Sequence, residues 1–150
     1  SNDVNELKFK LEKIINDNLL DEIKSKSLTF IDSSTNERLK AANEIYHLTK
    51  DTSKQQLIEL SKSDNWWERI AAIIGINAHI HLKSNLDSDK DIQEFVQKSL
   101  FDNHSRVRYR VVNLIKDSEI LLTKYRQDIL RLVANEPNRE VKKIMKSLVS

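Results

Sequence analysis

Apolar residues recur three and four positions apart along nearly the whole chain, the spacing that gathers them on one face of an α-helix. Val4, Leu7, Leu11, Ile14 and Ile15 set the first run, and Ile23, Leu28 and Phe30 a second over about residues 20–30. Ser34-Thr35-Asn36-Glu37 then has the capping-box order, in which a serine hydroxyl and a glutamate three residues on satisfy helix-start amides. It predicts a helix bearing Leu39, Ala42, Ile45, Tyr46 and Leu48. Ser53-Lys54-Gln55-Gln56 opens a short helix of Leu57, Ile58 and Leu60 in the same way. From Ile70 to Ile80 the pattern is apolar almost all round, which predicts a helix enclosed on several sides. Asn65 and Glu68 are spaced to cap its start. Gly75, inside it, costs about 1 kcal/mol relative to alanine, so it predicts a close approach by a neighbouring helix.

A polar linker follows over residues 84–90, where Ser88 and Asp91 can cap a helix of Ile92, Phe95, Val96 and Leu100. Asn103 starts one with Val107, Val111, Leu114 and Ile115, and Ser118 the next, with Ile120, Leu121, Tyr125, Ile129, Leu130 and Val133. Pro137 falls in the first turn of a last helix holding Val141, Ile144, Met145 and Leu148. The pattern predicts an all-α fold of about nine helices with short connections.

Composition agrees. One glycine and one proline in 150 residues leave few hairpin-turn residues, against a sandwich or barrel. There is no cysteine, hence no disulfide framework and no thiolate, which fits a cytoplasmic protein. No apolar run approaches a membrane span and no signal-peptide core is present. The net charge of +2 conceals a gradient. Residues 103–150 carry eleven bases and five acids, a balance of +6, which leaves −4 on residues 1–102.

Overlaying the segments exposes a repeat. Asp32…Arg38, Ser63…Arg69, Asp102…Arg108 and Glu136…Lys142 each place a base six residues after an acid or small polar residue, early in a helix. The bases recur at intervals of 31, 39 and 34 residues. Asp102…Val107-Arg108 and Glu136-Pro137…Val141-Lys142 resemble the HEAT-repeat family, whose pattern is an acid ending the first helix and a Val-Arg pair early in the second. In the two earlier copies Glu37 and Glu68 replace the valine, and Ser63 replaces the acid. The resemblance implies a single domain, a right-handed superhelix (α-solenoid) of about four helix pairs, over residues 20–49, 53–83, 88–116 and 119–149. A capping helix over 4–18 would precede them. It also implies that Arg38, Arg69, Arg108 and Lys142 pair with turn acids such as Asp32, Asp64, Asp102 and Glu136.

Trp66-Trp67 is the most conspicuous dipeptide. Adjacent helical positions aim the two rings about 100° apart, so one packs while the other is a candidate partner anchor or base-stacking platform. Trp66-Trp67-Glu68-Arg69-Ile70-Ala71 is also similar to the Trp-Trp-Asp-x-x-Asp motif of HEAT-like DNA alkylation repair glycosylases, but Ala71 stands where their essential aspartate would be. Arg106 and Arg110, four apart, share a helix face, as do Arg139 and Lys143 in the next repeat. Stacked pairs would align them into a stripe for phosphates or acidic side chains. His79 and His81 are about 200° apart on a helix and cannot chelate one metal, and His47 and His104 are isolated. No phosphate loop or nucleophile elbow is present, so the chain predicts no metal, no cofactor, no small-molecule substrate and no enzyme. The expectation is a non-catalytic interaction module that binds a protein through Trp66, Trp67, Arg106, Arg110, Arg139 and Lys143 along the ridge of the second helices. Sequence-independent nucleic-acid binding through the basic half is the alternative.

Overall fold

In a computed structural model of the chain, which describes residues 2–83 and 85–150, the fold is all-helical. Eight α-helices and no strand occur among the described residues: α1 Asn2–Ser27, α2 Thr35–Thr49, α3 Lys54–Leu60, α4 Trp66–Leu82, α5 Lys90–Leu100, α6 Ser105–Lys116, α7 Glu119–Val133 and α8 Arg139–Val149. Single 3₁₀ turns lie at Leu28–Phe30 and Leu86–Ser88. The helices pack as α1 on α2, α3 on α4, α5 on α6 and α7 on α8, while α2, α4, α6 and α8 neighbour one another in chain order. One apolar cluster runs through all of them, from Ile23 to Leu148.

Helix starts follow side-chain capping, though not always by the residue the pattern favours. Ser34 accepts from the Glu37 amide, and Ser53 with Gln56 forms a complete capping box. At α4 the side chain of Asn65 makes no capping bond. Ser63 accepts from the Asn65 amide instead, and its hydroxyl donates to the Glu68 carboxylate. Asp89, rather than Ser88, caps α5 by accepting from the Asp91 and Ile92 amides, and His104, rather than Asn103, caps α6. Pro137 lies outside α8, which Asn138 caps. The linker expected over 84–90 begins on Ser84, outside the described residues. From there Asn85 takes a left-handed φ of 66°, which asparagine tolerates better than most residues.

The expected break near Leu20 is absent. The capping helix and the first helix of the first pair are one element, because no glycine, proline or strong turn signal interrupts residues 2–27. Its C-terminal part docks on the core, with Ile23 fully buried. Leu7, Phe9, Leu11, Ile14 and Ile15 lie exposed, Phe9 at 69%. Leu28, expected inward, is exposed as well, whereas Phe30 is buried.

Helix α4 packs against α1, α2, α3 and α6, which is why its apolar residues extend round its circumference rather than along one stripe. Burying each isoleucine side chain there contributes about 1.5–3 kcal/mol. At Gly75 a Cβ would stand 2.6 Å from Leu57 Cδ2 and 3.0 Å from Thr49 Cβ, so the missing side chain is what lets α2 and α3 close on α4. One turn further, buried His79 donates from Nε2 to the Thr49 carbonyl at 2.8 Å. That carbonyl also accepts from the Thr52 amide, and the second bond, from His79, ties the end of α2 to α4.

The recurring bases form ion pairs between successive helix pairs rather than within one. Arg69 binds Asp102 through Nε and Nη2 (2.8 and 3.0 Å) and donates from Nη1 to the Ser63 carbonyl. Arg108 repeats the arrangement one pair on, binding Glu136 at 2.7 Å and the Asp102 carbonyl at 2.9 Å. Arg38 makes only the local half of it, donating to the Ser33 carbonyl. The next acid position is Ser63, which offers it no charge. Asp32 and Asp64, expected as partners, are exposed and form no ion pair among the described residues, and neither does Lys142.

Gly75→Ala gains about 1 kcal/mol of helix propensity but loses about 2–3 kcal/mol to overpacking against Leu57 and Thr49, so the urea midpoint falls. A raised midpoint would show that Leu57 moves aside without cost. Asp102→Ala, which strips the mostly covered Arg69 of its bidentate partner, lowers stability by about 2–3 kcal/mol. Asp128→Ala, at the solvent-facing pair with Arg131, changes it by under about 0.5 kcal/mol in the same titration.

Candidate anion-binding groove

The face made by α2, α4, α6 and the start of α8 is indented by two adjoining clefts of about 410 and 650 Å³. Both are lined by Leu39, Tyr109 and Arg110, so together they form one groove. The smaller cleft holds Arg38 from α2, Arg106 and Arg110 from α6, and Asn138 and Glu140 from the start of α8, with Phe30, Leu39 and Ile70 as its apolar wall. The larger continues past the side chains of Asn43, Asn77 and Asn113 to Tyr46, His81 and Asp117.

Arg106 and Arg110 share one side of α6 because they are four residues apart, and the packing of α6 beside α4 and α8 turns that side into the cleft. The main-chain carbonyl of Phe30 fixes Arg106, accepting from Nη1 at 2.6 Å. The guanidinium also lies 5.4 Å from the centre of the Trp66 ring, a cation–π contact. Arg110 is half-buried, 6.0 Å from the Phe30 ring centre, and no protein acceptor meets its guanidinium among the described residues. Burial draws its pKa below the usual arginine value, and it remains charged at neutral pH.

Both tryptophans are half-buried. Trp66 stacks on the His104 imidazole with centroids 4.1 Å apart and planes 11° apart, and Trp67 meets Trp66 edge-on at 5.7 Å. Trp66 thus stands behind Arg106, and the Trp67 indole N–H is buried without an acceptor. Arg139 and Lys143 are exposed on α8, whose contribution to the cleft is Asn138 and Glu140. The sequence-predicted set therefore divides. Arg106 and Arg110 meet in one cleft, Trp66 supports Arg106, and Trp67, Arg139 and Lys143 are not in its wall.

Arg38 was legible only as a structural base. The signal that frees it is the serine at position 63, where Arg69 and Arg108 find Asp102 and Glu136. Ala71, at the position of the glycosylase aspartate, is fully buried in α4. Among the described residues, no group of three or more His, Asp or Glu side chains could hold a metal, and no helix is long and apolar enough to cross a membrane. No family model, curated protein or solved structure matches the chain.

His104 carries a pH signature. Its Nδ1 accepts from the Arg106 amide as the cap of α6. Burial first, and then the Arg106 charge, hold its pKa below 6.5. The unfolded chain therefore takes up this proton before the folded one does, so stability present above pH 6.5 is lost as pH falls from there toward the folded-state pKa. The His104→Asn variant, which keeps a capping acceptor, flattens urea stability against pH across that window. An unaltered slope would assign it to other groups.

Proposed function

We propose that the chain is a non-catalytic, HEAT-like interaction module of the cytoplasm, a right-handed solenoid of four helix pairs that binds a protein partner in the groove along α2, α4, α6 and α8. The solenoid reading rests on the chain-order packing of these second helices and on the two successive arginine–acid links between pairs. Stacked pairs bury together a face that one pair alone cannot.

The observation that carries the binding reading is a cleft whose cations outnumber its one carboxylate, Glu140. Arg38, Arg106 and Arg110 form no ion pair among the described residues, while the other two arginines of the repeat, Arg69 and Arg108, are fully engaged. Such a cluster offers long-range attraction and fixed donors to an acidic segment. The carboxylates lining the groove, Glu140 and Asp117, belong to different clefts, so no acid pair in it suits acid–base catalysis. The balance of +6 over residues 103–150 is what favours nucleic acid as the second reading.

The test is affinity capture from native lysate, with and without nuclease, comparing the wild type with Arg106→Glu/Arg110→Glu and with Arg131→Glu as an exposed control. A protein that survives nuclease, cross-links to groove residues and drops at least ten-fold in the double variant alone supports the module. Loss on nuclease treatment would move the assignment to nucleic acid. Recovery indifferent to the double variant would remove the groove from consideration.

A further inference from the structure

The smaller cleft has a charge that the protein does not balance. Three guanidinium groups face one carboxylate, Glu140, a formal excess of +2. The excess is not a general property of arginines in this repeat position, since Arg69 and Arg108 are each matched by a carboxylate. Arg38 adds to it because Ser63 occupies the acid position that Arg38 would use, and Arg106 and Arg110, outside that repeat position, supply the rest.

Two of the three are held in place before any ligand arrives. Arg38 donates to the Ser33 carbonyl and the Thr35 hydroxyl, and Arg106 to the Phe30 carbonyl while lying on Trp66. Their ordering entropy is thus largely spent in folding, and donors on each remain unused. Arg110 is half-buried with no acceptor for any of its N–H groups among the described residues. A desolvated guanidinium gains most from an anion that reproduces its lost hydration.

We infer that this cleft binds a phosphate monoester carried on a side chain of the partner, so that recognition depends on phosphorylation. The inference rests on the protein-partner reading above and names its ligand. A phosphomonoester carries about −1.5 to −2 at neutral pH, which meets the excess of +2, and its three oxygens can each engage an arginine fork. A carboxylate, or the diester of a nucleic-acid backbone, brings one negative charge and leaves the cleft under-compensated. Phe30, Leu39 and Ile70 supply an apolar wall for the body of the phosphorylated residue, and about 410 Å³ accommodates a side chain of that size. The adjoining cleft favours polypeptide over polynucleotide. The side chains of Asn43, Asn77 and Asn113 each donate and accept, as a peptide backbone requires, and residues 1–102, with a balance of −4, repel an extended polyanion.

The probe is phenyl phosphate, compared with isosteric but singly charged phenyl sulfate, followed through the arginine Nε–H resonances of the intact chain. Phenyl phosphate should bind saturably, at least ten-fold tighter than the sulfate, and shift Arg38, Arg106 and Arg110 while sparing Arg139. Arg110→Gln and Arg38→Gln should each weaken it ten-fold or more. Arg110→Lys, which keeps the charge without the fork, should recover only part, and Arg139→Gln should change nothing. Amide spectra of each variant report whether the fold is retained. Equal affinity for the two probes, or shifts centred on Arg139, would overturn the inference. In the capture experiment, phosphatase treatment of the lysate should abolish recovery of the partner. Recovery that survives phosphatase but falls in Arg106→Glu/Arg110→Glu would leave the interaction module standing and refute the phosphate site. Tighter binding of a 5′-phosphorylated oligonucleotide than of phosphotyrosyl or phosphoseryl peptides would refute the partner class instead.

Discussion

The close approach at Gly75 governs the architecture. With no Cβ there, Leu57 of α3 and Thr49 of α2 both reach the backbone of α4, and His79 one turn on takes up the Thr49 carbonyl. Helix α4 becomes the element against which α1, α2, α3 and α6 are all placed. Since α6 in turn neighbours α8, the positions of Arg38, Arg106 and Glu140 relative to one another depend on how closely α2 and α6 sit on α4. The groove is a product of helix spacing more than of any loop.

The recurring arginines show how a single residue type takes two roles under one geometry. Where the following turn supplies Asp102 or Glu136, the guanidinium is consumed in joining neighbouring pairs. Breaking such a mostly covered pair strands a charge, so these two contribute to order rather than to recognition. Where the following turn supplies Ser63, the same side chain keeps its local carbonyl contact and its charge is left for the groove. The partner decides, not the arginine.

Much of this was legible from local pattern, for reasons that can be traced to particular residues. Ser53 and Gln56 cap α3 as their spacing requires, because a capping box is a four-residue device that needs no tertiary help. The all-round apolar run of α4 reported enclosure correctly, since periodicity reflects how many sides are covered. It cannot report whether a face is covered at all, and so Leu7, Leu11 and Ile14, which share the spacing of core residues, lie in solvent. Asp89 and His104 took the caps expected of Ser88 and Asn103 because adjacent polar side chains compete within about one position. The cleft itself was half visible. Arg106 and Arg110 are linked by helix spacing, whereas Arg38 and Phe30 reach them only through the packing of distant helices.

The first half of α1 has a thermodynamic character of its own. Its turns are supported by backbone bonds and by little tertiary contact until Leu19, Leu20 and Ile23 dock on the core. Isolated helices of such length are marginal in water, and helix–coil relaxation takes about 0.1–1 μs. Amide hydrogen exchange along α1 should therefore be graded, fast through the turn of Leu7 and slow at Ile23, with no cooperative boundary between. A surface that covered the exposed apolar side of Leu7, Leu11 and Ile14 would gain from ordering these turns as well as from the area it buried.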